Sequence, residues 1–317
     1  MGTMRPSLHS PLPAMSSDSV ADLSARDVAA RIARLFVYPV KSCAGVEVDE
    51  VLLTETGLEF DRAWMVVDDE GRFVTQRELP RMALIQPKLK HSEMVLRAPG
   101  MLALHIALDA VEEPCEVTVW KDRVKAYDMG DVAAQWFSDF LNSERPAGVP
   151  AQKLRLVRFD PEFQRLSNKR WTGEVDAQTQ FSDGFAVLVL SQSALDGLNA
   201  RLAAAGHAAV GIERFRPNIV LDGVDAHDED NFGELLIATN EGPARLRLVK
   251  PCPRCPIPNI DPATALSSPE VGDTLQAYRA HPAVDGAIAF GMNAIVLEGI
   301  DFALRPGQSA AADYRFD

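Results

Sequence analysis

The chain has 317 residues, 47% hydrophobic and 24% charged, enough for a sizeable core and, at roughly 100 to 200 residues per domain, for two domains. A formal net charge of -13 at pH 7 excludes general nucleic-acid affinity, which needs clustered Lys and Arg to displace counterions. Four cysteines with one close pair exclude a disulfide framework in a chain this long and point to a reducing cytoplasm.

Residues 1–28 hold Met, Pro, Ser and scattered acids with no apolar run long enough for a signal peptide, so a disordered tail is expected there. Pro6 stands where a myristoylation pattern needs Ser or Thr, and no stretch approaches the roughly 18 apolar residues of a membrane span. A soluble protein without a membrane anchor is expected.

Short β-rich segments follow at 32–38, 47–53, 63–68 and 73–76, with Asp69-Glu70-Gly71 as a hairpin turn. Further strands are expected at 93–97, 102–108 and 116–127. Val132, Gln135, Trp136 and Phe140 then fall at helical spacing within 131–141. Residues 30–145 therefore read as a small antiparallel barrel with one helix, and Asn142 to Gln152, with two prolines and a glycine, as a linker.

A second domain is expected over 150–317. Residues 154–159 read as a strand, 160–180 as a polar irregular segment, and Ala186-Val187-Leu188-Val189-Leu190 as a buried strand. Ser191 is placed to cap a helix running to Ala204, with Leu195, Leu198 and Leu202 on one face. Strands recur at 218–222, 234–239, 244–249 and 293–298, so this half is mixed and strand-dominated. The acidic run Asp225, His227, Asp228, Glu229 and Asp230 lacks the Gly turn and terminal Glu of a calcium loop and reads as a solvated loop. The six histidines show no ligand spacing, and His281, before Pro282, reads as a loop residue.

Chemistry concentrates in Lys250-Pro251-Cys252-Pro253-Arg254-Cys255-Pro256-Ile257-Pro258. Proline cannot continue a helix interior and pushes its predecessor toward extended geometry, so Cys255 is expected on a stiff loop. Arg254 and Lys250 beside it are expected to favour the thiolate. A zinc site needs further ligands at matching spacing, and Cys43 and Cys115 have none. A thioredoxin-like dithiol wants a helix N-terminus, which these prolines disfavour. A structural pair, a metal ligand and a redox dithiol all stay open at this point.

Three other segments stand out: Tyr38-Pro39-Val40-Lys41-Ser42-Cys43-Ala44-Gly45, Asp61-Arg62-Ala63-Trp64 and Phe215-Arg216-Pro217-Asn218. Together with the cysteine segment they resemble the MOSC superfamily, and within it the amidoxime-reducing components of mitochondria and their bacterial relatives. The resemblance runs from residue 31 to the C-terminus. It implies an α+β, mainly β fold, an N-terminal antiparallel β-barrel domain followed by a mixed β-barrel MOSC domain with peripheral helices.

The resemblance also implies a molybdenum cofactor between the two domains, with Cys255 as thiolate ligand to the metal and Cys252 in a supporting role. A soft thiolate suits a metal already held by dithiolene sulfurs. Lys41, Ser42, Arg62, Arg216 and Arg254, with Pro253 alongside, are the expected contacts to the pterin and its phosphate, where a planar Arg fork binds bidentately and Lys acts as a point charge. Asn218 is expected to brace the Arg216 loop. Asp183 is the expected proton relay, Gly184 and Phe185 the expected backbone contacts, and Asn293 a further pocket residue.

The activity implied is reduction of N-hydroxylated or N-oxygenated compounds such as amidoximes, hydroxylamines and hydroxylated bases. Electrons are expected from a separate protein, a flavin reductase, a ferredoxin or a cytochrome-b5-like donor. A second reading of the same likeness is a cofactor-binding sulfur carrier with a persulfide on Cys255.

Overall fold

The computed structural model describes residues 23–145 and 148–315, so residues 1–22 of the expected tail and Pro146–Ala147 of the expected linker lie outside the described residues. The first half runs β1 (Val28–Val37), β2 (Val46–Glu47), β3 (Val51–Thr54), β4 (Gly57–Leu58), β5 (Trp64–Val67), β6 (Gln86–Leu89), β7 (Glu93–Arg97), β8 (Leu104–Ala107), β9 (Glu113–Val119), β10 (Asp122–Asp128) and α1 (Gly130–Asn142). It continues with β11 (Arg155–Phe159), α2 (Lys169–Thr172), β12 (Val187–Ser191), α3 (Gln192–Ala204), β13 (Ile219–Asp222), β14 (Phe232–Ala238), β15 (Pro243–Pro253), α4 (Glu270–Gln276), β16 (Ala289–Glu298), β17 (Ala303–Leu304) and β18 (Ser309–Tyr314).

The larger sheet closes on itself in the order β13-β12-β16-β15-β14-β18-β1, with β1 returning to pair with β13. Closure leaves no unpaired edge among these seven strands. The β12–β13 pair is parallel, Val189 opposite Ile219, and the other pairs are antiparallel, so the barrel is mixed. Alternate residues point inward along each strand. Ile32, Leu35, Val189, Leu221, Leu235, Leu246 and Ala294 fill the interior. Each fully buried Leu or Ile contributes about 1.5–3 kcal/mol.

β5, β9 and β10 of the first half take in β11, expected as the opening strand of the second domain, to form a four-stranded antiparallel sheet, β5-β11-β10-β9. β6-β7-β8 form a three-stranded one, and β1, expected in the first domain, joins the larger barrel. On α1 the buried stripe is Ala133, Trp136, Phe137, Phe140 and Leu141. Val132 and Gln135, expected on that stripe, are exposed; Ala133 and Phe137 occupy the inner face instead. The expected linker is clamped, since Asn142 Nδ2 donates to the carbonyl of Gln152 (2.9 Å) and its Oδ1 accepts from the Gln152 amide (2.9 Å).

Several other expectations need correction. The single strand at 116–127 is a hairpin, β9 and β10, turning at Trp120–Lys121 with Trp120 at φ 55°. No Gly, Pro or Asn marks that turn. Residues 73–76 hold only an isolated bridge from Phe73 to Val67 across the Asp69–Gly71 turn. Residues 47–53 split between β2 and β3.

The acidic run is not a solvated loop. Glu229 is fully buried, one carboxylate oxygen accepting from the Ser191 amide (3.1 Å), and Asp230 pairs with Arg279 (2.5 Å). Ser191 caps α3 as expected, its hydroxyl accepting from the Ala194 amide (3.3 Å).

Candidate functional site

The site is assembled from loops that the two halves push toward one another. After β1 the chain turns at Lys41–Ser42, held by the Lys41 amide on the Trp64 carbonyl (2.8 Å) and by Gln76 Nε2 on the Ser42 carbonyl (2.6 Å). Ser42, Arg62 and Arg216 all adopt left-handed backbone, at φ 66°, 51° and 57°. A non-glycine residue there costs of order 1–3 kcal/mol, and persists only where the surroundings over-determine it. Three such residues, all of them singled out from sequence, meet at one cavity.

That cavity, about 130 Å³, is lined by every residue singled out: Lys41, Ser42, Arg62, Asp183, Gly184, Phe185, Arg216, Asn218, Pro253, Arg254, Cys255 and Asn293. Cys252, Ser182 and Ile257 line it as well, as do Thr75 and Arg77, which were missed. Arg77 and Thr75 carried no local signal, because their segment reads as a strand until its tertiary position is known.

The cations are held by specific partners. Arg62 donates to Asp61 (2.5 Å), to Asn218 Oδ1 (3.3 Å) and to the Arg216 carbonyl (3.2 Å). Arg216 donates to the Cys43 carbonyl (2.6 Å). Both guanidiniums lie over the buried Tyr38 ring, at 4.4 and 4.3 Å. Burial, and then the neighbouring Arg62, pushes Arg216 down to about 10. Burial pushes the Cys43 thiol up to about 12, which keeps it a neutral packing residue. Asn218 acts as a strut: its Oδ1 also accepts from the Leu188 amide (3.0 Å), and its Nδ2 donates to the Phe36 carbonyl (3.2 Å).

The 180–185 loop is fixed from two sides. Arg165 donates to the carbonyls of Gln180 (2.7 Å) and Ser182 (2.6 Å), and Lys41 Nζ to that of Phe181 (2.8 Å). Lys41 also pairs with Asp183 (2.5 Å), whose same oxygen accepts from Trp120 Nε1 (3.2 Å). The protein crowded around the Asp183 carboxyl would raise it, although the side chain stays largely exposed at the cavity, but the charge and hydrogen bond of Lys41, the Trp120 bond and the Arg62 charge together hold it well below the usual carboxylate range. Burial pulls Lys41 below the usual lysine range against the pull of Asp183.

At the cysteine segment one expectation fails. Arg254 turns to Cys252, Nη1 donating to its sulfur (3.0 Å), while Nη2 donates to the Phe215 carbonyl (2.8 Å). Lys250 lies over Trp171 (5.3 Å) and Phe185 (6.0 Å). Neither cation is on Cys255, because Arg254 is drawn back toward the barrel by the Phe215 carbonyl. Cys255 is exposed at the cavity lining, and all four cysteines are free. Asn293, on β16, donates to the Lys250 carbonyl (3.2 Å).

The donor set fits an anionic, sulfur-ligated cofactor. Arg216 Nη2 and Arg254 Nε are buried without a hydrogen-bond partner among the described residues. A buried unsatisfied donor costs about 1–3 kcal/mol, and an anionic group would satisfy it. The free thiol stands on the same lining. Among the described residues no three His, Cys, Asp or Glu side chains gather around one point, which leaves the zinc reading without a ligand set.

A second cleft, about 1240 Å³, adjoins the cavity through Arg77, Asp183, Gly184 and Phe185, which line both. The cavity alone is small, and this cleft supplies the room for anything larger.

Comparison with known proteins agrees with this picture. Residues 29–144 match the MOSC N-terminal beta barrel domain, and residues 176–310 the MOSC domain. The chain is 34% identical to mitochondrial amidoxime reducing component 2 of Rattus norvegicus over 259 residues, covering 78% of this chain and 72% of that protein. It is 35% identical to mitochondrial amidoxime-reducing component 1 of Homo sapiens over 260 residues, with the same coverage. It is 31% identical to the molybdenum cofactor sulfurase of Bos taurus over 282 residues, 83% of this chain but 30% of that protein. Among the described residues no helix is long and apolar enough to cross a membrane. The chain therefore belongs to the family of MOSC-domain proteins that includes the mitochondrial amidoxime-reducing components.

Proposed function

We propose that this protein is a molybdenum-cofactor-dependent reductase of N-hydroxylated and N-oxygenated compounds. The observation that carries the reading is the pairing of an exposed Cys255 thiol with two buried, unpartnered guanidinium nitrogens on one cavity lining. When bound, the cofactor supplies two-electron redox chemistry coupled to oxygen-atom exchange. Arg62, Arg216 and Arg254 would hold its anionic groups, Ser42 and Asn293 would add short hydrogen bonds, and Gly184 and Phe185 would contribute backbone contacts. Cys255 would give a thiolate ligand to molybdenum, with Cys252 and Pro253 behind it.

Reduction of an N–OH group to N–H consumes two electrons and two protons and releases water. The Lys41 ammonium would hold a proton beside the cavity, with Asp183, kept well below the usual carboxylate range, as its counter-ion rather than as the relay expected from sequence. Electrons would arrive from a separate flavin reductase, ferredoxin or cytochrome-b5-like protein. Four free thiols favour a reducing compartment such as the cytoplasm.

The second reading, a sulfur carrier with a persulfide on Cys255, is favoured by the exposure of that thiol and by the likeness to a molybdenum cofactor sulfurase. Elemental analysis for molybdenum, with reduction of benzamidoxime by a chemical electron donor, separates the two. Molybdenum-bearing, active protein supports the reductase. Metal-free, inactive protein from a cofactor-competent host, carrying a persulfide at Cys255, overturns it.

A further inference from the structure

The cleft that adjoins the thiol cavity carries an unusual combination for a chain of net charge -13. Its ion-paired cations have partners: Arg72 with Asp68 and Glu70, Arg165 with Asp122. Arg77, Lys121 and Lys250 line the same cleft and have no carboxylate partner among the described residues. Two of these three ride on aromatic rings. The Arg77 guanidinium lies 4.8 Å over Trp120, and Lys250 Nζ lies 5.3 Å over Trp171.

Trp120 itself is 47% exposed, on left-handed backbone, steadied by an edge contact with Phe73 (5.0 Å) and by its Nε1 bond to Asp183. A large apolar ring kept at the surface at a backbone cost, beside unneutralised cations, is a surface prepared for a flat, negatively charged guest. The same Trp120 bond ties that surface to the carboxylate facing the thiol cavity.

We propose that this cleft admits the substrate and selects flat aromatic N-hydroxylated compounds bearing an anionic substituent, the ring packing against the exposed indole of Trp120 and the anion meeting Arg77, Lys121 or Lys250. The inference rests on the reductase reading for the fate of the bound compound, but the selectivity belongs to the protein surface alone. A concave cleft of about 1240 Å³ suits a small molecule better than the face of an electron-donor protein.

The experiment is titration of purified protein with para-carboxybenzamidoxime and with benzamidoxime, by tryptophan fluorescence and calorimetry, with molybdenum measured in each sample. The carboxylate compound is expected to bind about 10-fold more tightly at low salt, and the advantage to shrink to about 2-fold or less in the Lys121→Ala/Lys250→Ala double variant and in Arg77→Ala. Trp120→Ala is expected to weaken both compounds by about 2- to 10-fold, and Trp120→Phe to restore most of the loss. Preference for the anion in metal-free protein sustains the cleft assignment while counting against the reductase. Equal affinity for the two compounds overturns the cleft assignment whatever the metal content. Charge variants that lose molybdenum, or that slow only electron delivery from a donor protein while binding both compounds normally, overturn it as well.

Discussion

The ammonium of Lys41 and the carboxylate of Asp183 lie 2.5 Å apart, one side chain buried in the protein and the other 71% exposed at the cavity. The pair joins the loop after β1 to the loop before β12. Because Lys41 depresses Asp183, the contribution of this carboxylate is present above the unfolded aspartate value of about 4 and fades as pH falls through the lower folded value. Asp183→Asn should therefore lose part of its stability at neutral pH, about 1 kcal/mol given the exposure of the carboxylate, and lose less than wild type on acidification. Urea unfolding between pH 3 and 7 reads both effects. Parallel wild-type and variant curves would show that the contact is energetically silent.

Glu229 gives the opposite sign. Burial, with a smaller push from Asp230, raises its carboxyl to about 7 despite hydrogen bonds from Ser191. A raised folded value means that its contribution is complete below the unfolded value and is lost as pH rises through about 7. Asp230 is the charged group that acts on it, and Asp230 is itself paired with Arg279. Wild-type Tm should fall between pH 5 and 7.5, by at most about 1.4 kcal/mol per pH unit in stability. Glu229→Gln should flatten that slope. A slope that survives in the variant assigns it to another group.

The two cysteines of the 252–255 segment should separate cleanly. Cys255→Ala removes an exposed thiol and should leave stability within about 0.5 kcal/mol while abolishing benzamidoxime reduction. Cys252→Ala strips Arg254 of an acceptor and should shift Tm while retaining cofactor and part of the activity. Thermal unfolding and molybdenum content, measured side by side, check both. Equal loss of activity in the two variants would make them a functional dithiol.

Gly45 explains how tightly the cationic centre is packed. A Cβ built there runs into Tyr38 Cε1, so Gly45→Ala must move the ring on which Arg62 and Arg216 rest. Overpacking of this kind costs about 1–3 kcal/mol. Molybdenum occupancy should fall alongside stability, and Arg216→Ala should lower occupancy first, having removed an unsatisfied buried cation. Full occupancy in Arg216→Ala would remove that residue from the cofactor contacts.

Much of this was legible in the sequence, and the gaps have physical reasons. Ser191 announced the start of α3 because a capping hydroxyl acts on its own next few residues. The Pro-rich cysteine segment announced an extended loop because proline restricts φ locally. Trp120–Lys121 hid a hairpin turn, since its left-handed residue is not a glycine and is held by Phe73 and Asp183 from elsewhere in the chain. Glu229 looked solvated because nothing near it in sequence buries it; β12, through Ser191, does. Arg254 was expected to act on Cys255, its neighbour in sequence, and the Phe215 carbonyl decides that it serves Cys252 instead. Local chemistry was readable wherever the governing partner lay within a few residues.

The seam of the large barrel has a consequence for biosynthesis. Its strand β1 is made first and pairs along both edges with strands made much later, Arg31 with Asp222 of β13 and Ala29 with Ala311 of β18. Only Phe36 and Val37 gain an early partner, in β2, so a ribosome emitting about 5–20 residues per second exposes the rest of β1 with neither of these neighbours for tens of seconds. During that interval its two bare edges invite pairing with other nascent chains. Such a chain should depend on chaperone cover while it is being translated. A circular permutant opened elsewhere, with β1 and β18 made back to back, should escape that dependence and refold faster.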